Sequence, residues 1–315
     1  MPFLYKRLKS FHFLIMRKLL MSGITFCLAI QLATAQIKLP SSSPSATVMQ
    51  TLGTTDLTVT YSRPSLKGRQ PFTGDFVPLG KVWRTGANAA TNFTTSTDLM
   101  VNGKTLPAGT YAIMSIPADG NFTLIFNKNK AVTEQTYKQE EDALRVDLTP
   151  SDINETIETF TIGFGDLTDS TAKMTFMWAN RKASADLKVD VNTYAAANVD
   201  KAVAEKPEDG AVLQAAASYN VSKGRNLEQS LTWIDKSIGM KENFRNLYVK
   251  SQILAKMGKY AEALPVAQKS LALGQSSNDP IFPFFKDGIE KSVAEYTTKV
   301  PATPAMKGGK SKKKA

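Results

Sequence analysis

The period of the hydrophobic pattern changes once along this chain, and that change limits the possible folds more than any other feature. From about residue 46 to residue 192, short apolar runs with strand-like alternation are separated by turn-forming residues. Near Ala195 the spacing becomes helical, and residues 200–296 are rich in Ala, Lys and Leu. The pattern predicts an α+β multidomain protein, with an antiparallel β-sandwich or jelly-roll-like domain followed by an all-α domain.

The strongest turn signal is Asn102-Gly103, which lies between two short apolar runs. A type I′ turn needs positive φ at both central residues, and Asn-Gly meets that need well. The run at 111–116 is apolar on both faces, as expected of a central strand. Strands are predicted at 57–61, 92–97, 99–101, 111–116, 122–126, 144–148, 156–164, 173–178 and 185–191.

The helical half contains an internal similarity. Gly224 precedes Gly258 by thirty-four residues, and the tripeptide KSI at 236–238 mirrors KSL at 269–271. Residues 255–264 resemble the turn and second helix of a tetratricopeptide repeat, a family with a period of about 34 residues. This similarity predicts a tetratricopeptide-like region, with a plain helical bundle as the alternative.

One residue departs from the repeat pattern. Pro265 stands where a helix-interior residue is expected, and proline there removes a backbone hydrogen bond and can kink the helix. Stacked helix pairs commonly bind a partner in their groove. We therefore expect this region to dock a protein partner, whose identity the sequence does not give.

The N-terminus has the features of a secretory signal peptide. Two basic residues at 17–18 precede a largely apolar stretch at 19–32, and a small-x-small pattern ends at Ala35. We predict cleavage after Ala35 and a periplasmic or secreted protein, with Met1 or Met16 as the start and no transmembrane anchor after cleavage. The predicted segments are a leader at 1–35, a linker at 36–45, the sheet domain at 46–192, the helical region at 193–298 and a disordered basic tail at 299–315.

Loss of the leader would change both the chemistry and the charge of the chain. Cys27 and His12 are the only cysteine and histidine, and both precede Ala35. A mature chain without them has no disulfide, no thiolate nucleophile, no Ser-His-Asp triad and no zinc site of the usual ligand types. We predict no catalytic residues, no metal and no cofactor.

The formal charge of +11 falls to +6 without the five basic residues of the leader, and to about +1 without the five tail lysines. A nearly neutral body argues against a nucleic-acid partner. The tail is either a solubilising terminus or a contact to anionic envelope polymers.

Seven short motifs in the strand-rich half form a distinctive combination. They are YSRP at 61–64, KGR at 67–69, VP at 77–78, VWRTGAN at 82–88, NGK at 102–104, AGTY at 108–111 and IFNK at 125–128. Together they resemble a family of exported bacterial domains of unknown function, number twenty-nine eleven, over about residues 43–191. The resemblance implies no known reaction, ligand or catalytic residue. The chain departs from the family at 130–136, where a Trp-Gly pair is expected before Tyr137.

The best polar candidates for a binding site are Arg63, Arg69 and Arg84. The planar guanidinium suits bidentate recognition of carboxylate or phosphate, and Asn88 would add a donor and an acceptor. Trp83 is either a core anchor or a stacking platform for a sugar ring. These five residues predict a small-anion or sugar site. In the alternative, the arginines fix loops by pairing with Asp56, Asp75, Asp98 or Asp142.

The leading functional prediction is an exported, non-enzymatic binding or scaffold protein, with the small-ligand site on the sheet domain and the partner-docking surface on the helices. The alternative is a carboxylate-dependent hydrolase acting on envelope or glycan substrates. Its acids would come from Glu155 and Glu158, or from residues 140–142. A concave pocket with two facing carboxylates would distinguish the alternative from the binding protein.

Overall fold

The computed structural model describes residues 39–73 and 76–300. In these residues ten strands form two sheets, and all strand pairs are antiparallel. The strands are β1 (Ser45–Leu52), β2 (Thr55–Ser62), β3 (Thr91–Thr95), β4 (Leu99–Val101), β5 (Lys104–Leu106), β6 (Gly109–Ala118), β7 (Asn121–Asn127), β8 (Asp142–Leu148), β9 (Ser151–Gly165) and β10 (Thr171–Lys188).

The two sheets pack face to face around one core. A six-stranded sheet has the order β1-β2-β3-β6-β7-β8, and a four-stranded sheet has the order β5-β4-β10-β9. Strand alternation sends Leu57 and Val59 of β2 inward from the first sheet, and Met174 and Phe176 of β10 inward from the second. The prediction of an antiparallel sheet domain followed by helices is confirmed.

The hairpin predicted at Asn102-Gly103 is also confirmed. Val101 pairs with Lys104, so the loop has two residues, with φ of 46° at Asn102 and 77° at Gly103. Positive φ at both positions is the requirement of a type I′ turn, which is why these two residue types stand here.

The outer face of the six-stranded sheet is covered at its centre. Ala112 and Met114 of β6 and Ile125 of β7 are fully buried there, under Val132 and neighbouring side chains of two loops. These loops, residues 76–90 and residues 128–141, are called the two covering segments below. They explain why β6 is apolar on both faces, as the sequence predicted.

Two features of the sheets differ from the predictions. The strands predicted at 173–178 and 185–191 are joined in one strand, β10, which continues through residues 179–184. It ends at Lys188, short of the predicted 191, and Val191 already begins the first helix. Trp178 and Ala179 are both buried, so the period-2 pattern slips by one residue at an irregularity in the pairing with β9. The second difference is β1, which the sequence did not reveal because an edge strand buries little and its alternation is weak.

Six helices follow in the described residues. They are α1 (Val191–Glu205), α2 (Gly210–Lys223), α3 (Leu227–Met240), α4 (Phe244–Lys256), α5 (Tyr260–Ser276) and α6 (Phe282–Lys299). None of these helices is long and apolar enough to cross a membrane. The predicted leader and all of the predicted tail beyond residue 300 lie outside the described residues, and Lys299 ends α6.

The internal similarity of the helical half is present in its contacts. Ser237 Oγ donates to Gly210 O at 2.8 Å, and Ser270 Oγ donates to Phe244 O at 2.6 Å. The helix pairs are α2 with α3 and α4 with α5. Each hydrogen bond joins the second helix of its pair to the start of the first helix. Each pair also ends its first helix at a left-handed glycine, Gly224 just after α2 and Gly258 just after α4. The two pairs therefore repeat the same interhelical contact and the same helix end.

A second contact repeats in the same way. Lys236 pairs with Glu208, and Lys269 pairs with Glu242 at 2.6 Å. Pro265 does not end its helix, since α5 runs through it from Tyr260 to Ser276. Its position in the second turn limits the loss to a hydrogen bond near the helix start.

Candidate functional site

The motif VWRTGAN extends the six-stranded sheet beyond the end of β3. Trp83 N–H donates to Ser115 O, and Ser115 N–H donates to Trp83 O, both at 2.8 Å. Because side chains alternate along an extended segment, Trp83 points into the sandwich core, while Val82 packs on the covered outer face. Arg84 lies on the same outer side as Val82. One short segment thus contributes to both faces of the sheet.

Trp83 is a core residue with 6% of its surface exposed. Its ring stacks on Trp178, with centroids 5.8 Å apart and planes 14° apart, and Phe160 meets it edge-on at 5.1 Å. Its indole N–H donates to Gly86 O at 3.1 Å. The ring therefore anchors the motif in the core, and its polar edge is used by the motif itself.

Arg84 joins the two covering segments. Its Nε lies 2.9 Å from Oε1 and 3.0 Å from Oε2 of Glu134, and its Nη2 donates to Oε2. Its Nη1 donates to Asn88 O, and its backbone N–H donates to Glu134 Oε1 at 3.1 Å. Only 23% of the Arg84 side chain and 26% of the Glu134 side chain are exposed. A charged, multiply bonded pair therefore holds residues 128–141 against the motif.

The pair perturbs the titration of both groups. Burial acts to raise the pKa of Glu134, but the hydrogen bonds from Arg84 and from the backbone outweigh it and hold the pKa below 4.5. The hydrogen bond to Glu134 raises the pKa of Arg84. Both groups are therefore held in their charged forms.

The acid that Arg84 pairs with is Glu134, not one of the predicted aspartates. Asp142 accepts hydrogen bonds from Tyr137 at 2.7 Å and Asn127 at 2.9 Å. Asp56 accepts from Thr51 at 2.8 Å, Asp98 accepts from the backbone of Ala108 at 2.9 Å, and Asp75 lies outside the described residues.

One signal in the sequence points to Glu134. It is the single acid in the 130–136 segment, where the motifs predict a departure from the family.

Gly86 and Asn88 shape the rest of the motif. A Cβ at Gly86 would stand 2.7 Å from Thr91 Oγ1 and 3.0 Å from Ser62 O, so only glycine fits against β2. Asn88 has φ of 58° and donates its side-chain amide to Ser43 O at 3.1 Å. Gly86 thus packs the motif against β2, and Asn88 ties it to the segment before β1.

Arg63 and Arg69 bind other parts of the chain. Arg63 Nε donates to Phe160 O at 3.0 Å, and its Nη2 donates to Thr161 Oγ1 at 2.6 Å. Arg69 donates to Leu66 O at 3.0 Å and Ser65 O at 2.8 Å, and its guanidinium lies 3.8 Å from the centroid of the Phe76 ring.

Of the five predicted residues, the structure brings together Trp83, Arg84 and Asn88. The three arginines share no acceptor, because each donates to its own set of groups. Their role in ligand binding stays a prediction. In residues 39–73 and 76–300, no three Asp, Glu, His or Cys side chains cluster as metal ligands would.

Sequence reasoning missed a cavity that Trp83 also lines, at one end of the sandwich. We call it the aromatic cavity, because six rings line it, and its volume is about 40 Å³. Arg181 and Lys182 of β10 also line it, next to the irregularity in the strand pairing. The rings are Phe72, Trp83, Phe122, Phe160, Phe176 and Trp178.

A second candidate site lies on the helices. An open groove of about 620 Å³ crosses α2, α4 and α6, and we call it the helical groove. Small and polar side chains make much of its wall, and Tyr260 and Tyr296 add rings. At one end Lys299 donates to Glu295 at 2.7 Å and to Tyr260 Oη at 3.1 Å. Its polar lining includes Ser218, Ser222, Tyr248, Gln252, Lys256, Ser292 and Glu295.

The comparisons with known proteins give one finding. Residues 43–187 match the model of a family described as "Protein of unknown function (DUF2911)", in agreement with the resemblance of the motifs. No curated protein and no solved structure matches the chain significantly. The part of this chain that is similar to the DUF2911 family is therefore the strand-rich half, which contains the Trp83-centred motif between the two sheets.

Proposed function

We propose that this protein is an exported binding protein whose helical groove docks an extended segment of a partner polypeptide. The observation that carries the proposal is the groove itself. Three non-consecutive helices, α2, α4 and α6, form most of its lining, Tyr260 of α5 adds to it, and the groove is open and about 620 Å³ in volume. A groove built from alternate helices of stacked pairs is the usual binding surface of helical repeats.

The lining suits a peptide, because it combines hydrogen-bonding and charged groups with the apolar side chains of Val221, Val249 and Phe285. Ser218 and Ser222 leave room on α2, and Gln252 on α4 offers an amide that both donates and accepts hydrogen bonds. Lys256 and Glu295 bring charges of opposite sign to the same groove. An extended peptide meets such a surface with alternating donors and acceptors along its whole length.

Export belongs to the same proposal and rests on the predicted leader, so the partner would be another periplasmic or secreted protein. The sheet domain would present a small ligand or support the helical region.

The prediction of an anion or sugar site at Arg63, Arg69, Arg84 and Asn88 requires these side chains to leave intrachain acceptors. That requirement makes the helical groove the better supported site.

The test is a photo-activated crosslinking amino acid placed at Gln252, in the groove, and at Thr232, exposed on α3 outside it. In cells that export the protein, we expect one discrete crosslinked species from position 252. Adding Ser218→Arg and Ser222→Arg should remove that species, while Thr232→Arg in the same background should leave it. Equal crosslinking from both positions, or a species unaffected by the two arginines, would refute docking in the groove.

The hydrolase alternative receives no support from the carboxyl groups with shifted pKa. A general acid needs a raised pKa, whereas the pKa is lowered for Glu134, Asp147 and Asp190. Turnover of glycan or ester substrates by the purified mature protein, lost on Glu155→Gln or Glu158→Gln, would instead favour it.

A further inference from the structure

We propose that the aromatic cavity binds the end of an unbranched acyl chain whose carboxylate stays at the mouth beside Arg181 and Lys182. The proposal is independent of docking in the helical groove. It concerns a free small carboxylate.

The interior of the cavity offers apolar surface and no free indole donor. Trp83 Nε1 donates to Gly86 O, and Trp178 Nε1 donates to Glu158 O at 3.3 Å. Both tryptophans therefore present carbon to the cavity. A sugar ring would leave its hydroxyl groups without partners at these walls, and burying an unpaired hydroxyl is unfavourable. An apolar group is the better match.

The volume of the cavity limits the size of the apolar group that can enter it. About 40 Å³ is far below the roughly 150 Å³ at which an engineered apolar cavity holds benzene. A ring would require the walls to move, whereas the end of an unbranched chain is narrow enough to enter.

The positive charges at the mouth of the cavity favour a carboxylate at the outer end of the ligand. Arg181 Nε lies 3.7 Å from Asp152 Oδ1, a long contact to a side chain that is 76% exposed. Such a pair is weak, so a carboxylate can compete for the guanidinium. Lys182 lines the cavity beside it.

The backbone around the cavity is held in an unusual conformation. Phe72 lies in the cavity wall with φ of 64°, and Ala179, next to Trp178, has φ of 52°. Left-handed backbone is unfavourable for residues other than glycine and occurs often at ligand sites. At Ala179 it accompanies the strand irregularity that places Trp178 in the wall and Arg181 and Lys182 beside it.

The experiment is a tryptophan fluorescence titration of the mature chain carrying Trp233→Phe, which leaves Trp83 and Trp178 as the only tryptophans. Acetate, propanoate, butanoate, hexanoate and octanoate are compared with the corresponding alcohols. Each methylene that enters should tighten binding about fourfold until the cavity is full, after which the affinity should level off.

The variants separate the two ends of the ligand. Ala183→Leu and Ala118→Leu each fill part of the cavity and should abolish the response, with the near-ultraviolet circular dichroism spectrum reporting that the fold is kept. Arg181→Gln with Lys182→Gln should weaken hexanoate binding about threefold to fivefold and leave hexanol unchanged. Lys173→Gln, on the same strand but outside the cavity, is the control and should change neither.

Several results would overturn the proposal. They are no saturable response to any acid, equal affinity for acids and alcohols, full binding by both filled variants, or binding to phosphatidylglycerol vesicles without binding to free hexanoate. The last result would assign the chain-binding surface to membrane lipid rather than to a free acid.

Discussion

Breaking the ion pair between Arg84 and Glu134 should release residues 128–141 from the sheet while the sandwich stays folded. About a quarter of each side chain is exposed, and several direct hydrogen bonds join the two charged groups. Exposed ion pairs contribute about 0.2–1 kcal/mol, and removing one partner of a fully buried pair costs about 3–5 kcal/mol. The exposure of Arg84 and Glu134 lies between that of an exposed pair and that of a fully buried pair. We therefore expect a coupling energy of about 2 kcal/mol.

The measurement is a double-mutant cycle of Arg84→Ala and Glu134→Ala, followed by amide hydrogen exchange in residues 128–141. A loss of about 2 kcal/mol in local opening free energy corresponds to exchange about 30-fold faster. The second substitution should add little once the first is made, because the interaction is already lost.

The matched control is the pair Lys173–Asp166, with Nζ and Oδ2 3.4 Å apart and the side chains 45% and 73% exposed. The same cycle there should give a coupling energy below about 0.5 kcal/mol. If the coupling between Arg84 and Glu134 is no larger than in this control, the covering segment is held by its apolar contacts and by other hydrogen bonds such as Tyr137 to Asp142.

The same pair should give this segment an acid-sensitive stability. The pKa of Glu134 is lower in the folded protein than its ordinary value of 4.5, so its contribution is complete above pH 4.5. The contribution is lost as the pH falls through the folded pKa. After correction for intrinsic exchange rates, the native segment should approach the behaviour of Glu134→Ala in that window, and the variant should lack this change.

Three further predictions concern single residues. Tyr137→Phe removes the hydrogen bond to Asp142 and should lower the unfolding free energy by about 1.5–3 kcal/mol in urea. Burial and that bond raise the pKa of Tyr137 to about 12, so its contribution should disappear as the pH rises from 10 to 12. Gly86→Ala should cost about 1–3 kcal/mol through its clash with neighbouring strands, measured by thermal unfolding. Ser270→Ala should cost about 1 kcal/mol in helical stability, whereas exposed Ser222→Ala should stay within about 0.5 kcal/mol.

Local signals made much of the fold predictable. Two adjacent residues, Asn102 and Gly103, were enough to predict their turn. Ser237 and Ser270 occupy equivalent positions in the two similar segments, and each makes the same contact between helices. The pairing of β3 with β6 and of β4 with β10 joins strands distant in sequence. Such pairing depends on which faces share the core, and a single strand pattern does not contain that information.

The candidate site was harder to predict for the same reason. The partner of Arg84 is fifty residues away and is selected by geometry, since Arg84 and Glu134 lie on segments that cover the same face of the sheet. The aromatic cavity depends on a slip in alternation at Ala179, which made β10 look like two strands. In both cases the informative feature was a departure from a regular pattern.

The geometry of the VWRTGAN motif explains why it is a poor guide to a ligand. Its tryptophan is in the core, its glycine is fixed by a close contact with β2, and its arginine is engaged by Glu134 and the carbonyl of Asn88. A residue whose polar groups already bind the chain can take a ligand only by giving up those bonds. The aromatic cavity and the helical groove require less exchange, since at the cavity only the weak pair of Arg181 with Asp152 would have to open. Binding is therefore better sought at these two surfaces than at the VWRTGAN motif.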